Sequence, residues 1–109
     1  MTYRKSGNEL LLILSALANP QRLRIMAALS KHQVYVSELA RELQISRPLL
    51  HMHLNRLEAA GLISGRHEIS ADGKALRFFE VVNFEEQLTP QRISEAVKTL
   101  TQETGNDEK

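Results

Sequence analysis

Residues 36–63 read Val36-Ser37-Glu38-Leu39-Ala40-Arg41-Glu42-Leu43-Gln44-Ile45-Ser46-Arg47-Pro48-Leu49-Leu50-His51-Met52-His53-Leu54-Asn55-Arg56-Leu57-Glu58-Ala59-Ala60-Gly61-Leu62-Ile63. Two short amphipathic segments flank a turn, and a β-prone run follows. Ser37 and Ser46 are each placed to accept a hydrogen bond from an otherwise unpaired helix N-terminal amide, and Gly61 is placed to take the left-handed conformation that ends the second helix. Along that helix Leu50, Leu54 and Leu57 fall at i, i+4 and i+7 and form one apolar stripe, with His53 close to its edge. At about 100° per residue the opposite arc carries Pro48, Leu49, His51, Met52, Asn55 and Arg56, with Arg47 at the exposed first turn. Leu39, Ala40 and Leu43 make the inner face of the preceding helix, and Ile45 plugs the turn. Pro48 removes no bond there, because first-turn amides have no intrahelical acceptor. Residues 37–61 therefore carry a helix-turn-helix pattern, with an outward arc suited to base edges.

Downstream, two β-prone runs, Leu62 to Ile69 and Ala75 to Val82, are separated by Ser70-Ala71-Asp72-Gly73-Lys74. An Asp-Gly turn between such runs predicts a hairpin over 62–82. Both strand faces carry apolar residues, so the pattern leaves open which of Phe78 and Phe79 points inward. A helix-turn-helix followed directly by a hairpin is a winged helix. Upstream, Asn19-Pro20 supplies a cap and a first-turn proline for a supporting helix, with an expected apolar stripe at Leu23, Met26, Ala27 and Ser30. The fold class expected is mainly α with a β-hairpin (α+β), a winged helix-turn-helix.

Three segments together, Leu17-Ala18-Asn19-Pro20-Gln21-Arg22-Leu23-Arg24-Ile25, Ser37-Glu38-Leu39-Ala40 and Leu54-Asn55-Arg56-Leu57-Glu58-Ala59-Ala60-Gly61-Leu62-Ile63, resemble the ArsR/SmtB family of winged-helix repressors over roughly residues 10 to 82. The resemblance implies a dimeric transcriptional repressor that dimerises through its first and last helices. Metal-sensing members commonly carry Cys-x-Cys at the positions held here by Tyr35-Val36-Ser37, and others use Asp and His on the last helix, where residues 89–104 contain no histidine. The expectation is therefore a member without the usual cysteine metal site, with no metal, no cofactor, and an effector that the sequence does not name.

At 109 residues and 42% hydrophobic content, the chain supports one domain with a modest core. With no cysteine it has no disulfide framework and no thiol switch. No apolar run approaches the ~20 residues of a membrane span, and the N-terminus lacks the layout of an export signal, so a cytoplasmic location is expected and no membrane partner. Residues 102–109 form a polar tail, with 105–109 expected to be flexible. The net charge of +1 conceals a division: residues 1–77 hold eleven of the fourteen Lys and Arg but six of the thirteen acidic residues. A basic patch suffices for phosphate contact without a basic protein.

The ends of the chain bear on assembly. Leu10, Leu11, Leu12, Ile13, Leu14 and Leu17 wrap around most of a helix expected over 8–18, more than one core can cover. Thr89-Pro90 starts a helix expected over 89–104, with a stripe at Ile93, Ala96, Val97 and Leu100. The predicted dimer interface comprises Leu10, Ile13, Leu14, Leu17, Ile93, Val97 and Leu100.

No Gly-rich phosphate loop, His-Glu-x-x-His helix or nucleophile elbow is present, so an enzyme is not expected. His51 and His53, two apart on one helix, point in different directions and cannot close on one ion; His53 is expected in the core and His51 outside. The predicted partner is double-stranded DNA. Arg47, His51, Met52 and Asn55, beside Pro48 and Leu49, read bases, while Ser46, Arg56, Arg66, Lys74 and Arg77 hold phosphates. The competing reading is a winged helix that docks protein or RNA, since Leu49 and Met52 are unusual beside phosphates.

Overall fold

The computed structural model describes residues 5–101; the expected tail and residues 102–104 of the helix expected over 89–104 lie outside the described residues. Reciprocal bonds start α1 (Gly7–Leu17): the Glu9 amide donates to Ser6 Oγ (3.1 Å) and the Ser6 amide to Glu9 Oε1 (2.7 Å). Asn19 Oδ1 accepts from the Gln21 and Arg22 amides, and Pro20 opens α2 (Pro20–Lys31). A two-residue strand, β1 (Val34–Tyr35), runs directly into α3 (Val36–Leu43). Gln44 turns the chain in the left-handed region (φ 57°), and the Leu49 amide donates to Ser46 Oγ (3.2 Å) at the start of α4 (Arg47–Ala59). Gly61, at φ +76°, releases the chain from α4.

The hairpin follows as β2 (Ile63–Ile69) and β3 (Ala75–Val81), turning at Gly73 (φ +85°), and Thr89 caps α5 (Pro90–Val97). The sheet is antiparallel in the order β1-β3-β2, with Tyr35 and Arg66 both opposite Phe78. Ile25, Leu39, Leu50, Leu54, Leu57, Leu62, Ile63 and Phe79 are fully buried and join the three central helices to the hairpin base. The two phenylalanines left open by the sequence are both buried, on opposite sheet faces. Phe79 fills the core, while Phe78 meets the Tyr35 ring edge-on at 5.2 Å with the Arg66 guanidinium 4.4 Å from its centroid.

Four local expectations need correction. Ser37 caps nothing: strand pairing extends Tyr35, which becomes the N-cap without a side-chain bond, and Ser37 lies inside α3. The buried face of α2 is Arg22, Ile25 and Leu29, with Met26 half-buried, whereas Leu23, Ala27 and Ser30 face outward. That helix is amphipathic in two frames, and the buried bonds of Arg22 accompany the one observed. Helix α5 stops at Val97, short of residue 104. Leu10 and Ile13, expected at the dimer interface, are buried within their own chain, and Leu14 and Leu17 are half-buried.

Helix α1 is tied to α5 at close range. The Gly7 amide donates to Thr99 Oγ1 (2.6 Å), the Thr101 amide to Asn8 Oδ1 (3.0 Å), and Arg92 Nη2 to the Lys5 carbonyl (2.9 Å). A Cβ at position 7 would overlap the Ala96 carbonyl oxygen. Gly7→Ala is therefore expected to destabilise the protein by about 1–3 kcal/mol through overpacking. Thermal unfolding checks this, and an unchanged midpoint would mean that α5 yields freely.

Candidate nucleic-acid interface

The geometry of α4 divides its residues into two sets. Leu50, Leu54 and Leu57 are fully buried, and His53 lies beside them at 5% exposure. Arg47, Pro48, Leu49, Met52, Asn55 and Arg56 are exposed, and His51 is half-buried. Burial of one side fixes the helix, so the opposite side is presented at a set angle rather than on a mobile loop. The Ser46 oxygen is occupied as a cap acceptor, yet its hydroxyl hydrogen remains available to a phosphate at the helix N-terminus.

On one flank of α4, Arg47, His51, Lys74 and Arg77 line an open groove of about 390 Å³ together with Tyr35 and Ser37. Arg47 and Lys74 are exposed and carry no ion pair among the described residues. Arg77, expected to hold phosphate, has a different setting: its Nη2 lies 3.3 Å from Glu58 Oε1, its guanidinium stacks 4.6 Å from the Phe79 centroid, and its Nε is buried without a partner. It brackets the hairpin to α4 before it does anything else.

Arg66 departs further from expectation. It lies on the other face of the hairpin, with Glu80 at 3.6 Å, Glu68 at 3.9 Å and a bond to Gln33 Oε1 at 3.1 Å. Two carboxylates already occupy it, so it is not a free phosphate ligand. Arg56 is exposed on the opposite flank of α4, in a cleft with Leu12, Ser15, Ala16 and Ala59, apart from the groove of Arg47 and Lys74. Of the predicted phosphate contacts, the structure gathers Lys74 and Arg77 around one groove, with Ser46 next to Arg47 at the head of α4, and separates Arg56 and Arg66 from it.

His53 has the partner that the sequence implied only generally. Arg22 Nη1 is 3.1 Å from His53 Nδ1, while Arg22 Nε donates to the Ala16 carbonyl at 2.6 Å. Among the described residues, no group of three or more His, Asp and Glu converges in a way that would hold a metal ion. Nor is any described helix long and apolar enough to cross a membrane.

A three-helix core that presents α4 outward beside a β-wing defines a winged helix-turn-helix DNA-binding regulator. Residues 19–64 match the family described as bacterial regulatory protein, arsR family. An uncharacterized HTH-type transcriptional regulator of Methanocaldococcus jannaschii is 37% identical over 70 residues, 63% of this chain and 72% of that protein. A biofilm growth-associated repressor of Agrobacterium fabrum is 32% identical over 84 residues, 72% of each. The solution structure of a homodimeric winged helix-turn-helix DNA-binding domain from Mycobacterium bovis superposes with a TM-score of 0.62 over 74% of this chain and 75% of that one, at 20% identity, a likeness of fold. The chain belongs to the arsR family: it is a DNA-binding transcriptional regulator and not an enzyme.

Proposed function

We propose that the chain acts in the cytoplasm as a homodimeric repressor that occupies a near-palindromic operator, reading bases with the outer arc of α4. The observation that carries this reading is the division of α4 itself, fully buried leucines beneath and an unobstructed Arg47, Met52 and Asn55 above. The Arg47 guanidinium suits the two acceptors of a guanine edge, the Asn55 amide suits adenine by donating to N7 and accepting from N6, and Leu49 and Met52 suit thymine methyl groups. Lys74 at the wing, with Ser46 and Arg77, contacts the backbone. Residues 1–109 work as one winged-helix unit.

The dimer is supported by apolar surface on both terminal helices. Leu11 and Leu12 on α1, Ile93 and Val97 on α5, and Leu100 just beyond are all exposed on the single chain. An interface built from them would replace Leu10 and Ile13 by Leu11 and Leu12 and keep Leu14, Leu17, Ile93, Val97 and Leu100. Two copies related by a two-fold axis would set their recognition helices ~34 Å apart, one turn of duplex. Repression then follows from occupancy of the promoter, in keeping with the name of the Agrobacterium relative.

Electrophoretic binding to the DNA upstream of its own gene, run as a salt series, tests the assignment. A duplex reader loses affinity with a logarithmic slope of ~0.9 per neutralised phosphate. Exposure of Leu49 and Met52 favours a second reading, a protein-docking arc, for which binding would barely respond to salt. Within the series, Lys74→Ala is expected to weaken all duplexes alike and to lower the salt slope by about 1. A Lys74→Ala loss confined to one sequence would assign that residue to base recognition instead. A promoter reporter whose output rises on deletion of the gene supports repression, and one whose output falls identifies an activator.

A further inference from the structure

Arg22 and His53 are charged or titratable side chains buried in the core, and they touch each other. Arg22 binds the last turn of α1 through the Ala16 carbonyl (2.6 Å) and reaches α4 through His53 Nδ1 (3.1 Å). That carbonyl is among the last four of α1, which have no intrahelical donor. A guanidinium only donates and does not lose its proton, so the contact requires a lone pair on Nδ1 and places the ring hydrogen on Nε2. An imidazolium has no acceptor, and it would set two cations side by side in the core. The contact therefore exists in one protonation state only.

We propose that the Arg22–His53 contact is a positioning lock that fixes the recognition helix to the end of α1, and that a proton on His53 opens it and weakens DNA binding. The proposal rests on the assignment of α4 as the DNA-reading helix. Helix α1 in turn packs on α5, so the lock joins the proposed dimer helices to the reading helix. Opening it changes the angle between the two recognition helices without touching a base-reading side chain.

Burial pushes the His53 pKa below the ordinary imidazole value, and the charges of Arg22 and Arg56 act in the same direction. The other elements packed on α4 offer no compensating carboxylate. The charged residue of α1, Glu9, sits about two turns from Ala16 in the capping box; Glu38, Arg41 and Glu42 of α3 are exposed, as are Arg66, His67 and Glu68 of β2. Glu58, further along α4, is held by Arg77 of β3. Because the folded-state pKa lies below the unfolded value, the stability from the neutral ring is complete above about pH 6.5 and is lost as pH falls through the lower folded value. Acid also changes the charge of the protein surface as a whole, so the lock is read as a difference between variants at each pH.

The test compares operator affinity of wild type and His53→Gln at pH 7.5 and pH 5.5 and constant ionic strength, both proteins shown to be folded. Gln keeps an acceptor and does not titrate. The ratio of variant to wild-type affinity is expected to rise about tenfold on going to pH 5.5, a typical coupling between two sites. A ratio that stays constant overturns the lock. On the free wild-type protein, NMR titration of the His53 ring is expected to give a midpoint below the ordinary imidazole value, with the amides of α4 and of residues 16–18 shifting together with it. Amides that ignore the His53 titration overturn the lock whether or not DNA binds, whereas failure of wild type to bind duplex at pH 7.5 removes the assignment of α4 instead.

Discussion

Val97→Asp is expected to turn the dimer into a folded monomer and to lower operator affinity by roughly 100- to 10,000-fold, the range gained when two linked sites bind one duplex. Val97 is 57% exposed on its own chain, so the charge costs the monomer little. Between two copies the same carboxylate would lose its water without gaining a partner, which disfavours association by several kcal/mol. Leu14→Asp is a poorer test, because Leu14 is already half-buried on the single chain and a charge there would cost the monomer more. Analytical ultracentrifugation and electrophoretic binding check the expectation. A Val97→Asp protein that stays dimeric with unchanged affinity would place the interface away from the terminal helices.

Arg47→Ala carries the second large effect, a loss of about 1–3 kcal/mol per half-site together with relaxed preference at one base pair. Arg47 stands exposed at the first turn of α4, and among the described residues it has no ion pair to lose. Truncation therefore leaves the fold alone and removes a donor pair from the reading face. Selection of sites from random duplexes, repeated with the variant, reads both consequences. If affinity falls equally for every sequence, Arg47 holds a phosphate, and base recognition passes to Asn55 and Met52.

Much of this architecture is legible in the chain because its boundaries are set by local chemistry. Asn19-Pro20, Ser46 with Pro48, Thr89-Pro90 and Gly61 each act within a turn of their own position, and the structure has every one of them at a helix end. The leucine stripe of α4 is equally plain, since three residues at helical spacing leave a single buried face. What escaped the sequence depends on distant partners. Strand β1 is two residues long and exists through its pairing with β3, and that pairing in turn displaces Ser37 from the cap. The buried face of α2 includes Arg22, which hydropathy counts as polar and only the Ala16 carbonyl and His53 render compatible with the interior. Ser6 and Glu9, three apart ahead of the leucine run, form the capping box that starts α1.

The basic residues illustrate the same limit at the candidate site. Arg66 pairs with Phe78 and Arg77 with His67, one position out of phase on neighbouring strands, so the register sends the two arginines to opposite faces of the hairpin. One meets Glu68 and Glu80, the other Glu58. Charge along the chain indicated a basic region but not which cations were already neutralised. Among the described residues, Arg47 and Lys74 line the groove without an ion pair.

The most direct measurement is NMR chemical-shift mapping of the protein against an operator duplex obtained by selection. Arg47, Met52 and Asn55 on α4, and Lys74 at the wing, are expected to show the largest changes, with the buried leucines and the outer face of α5 nearly still. Changes concentrated elsewhere, with the outer arc of α4 unmoved on saturation by DNA, would contradict the assignment of that helix as the reading element.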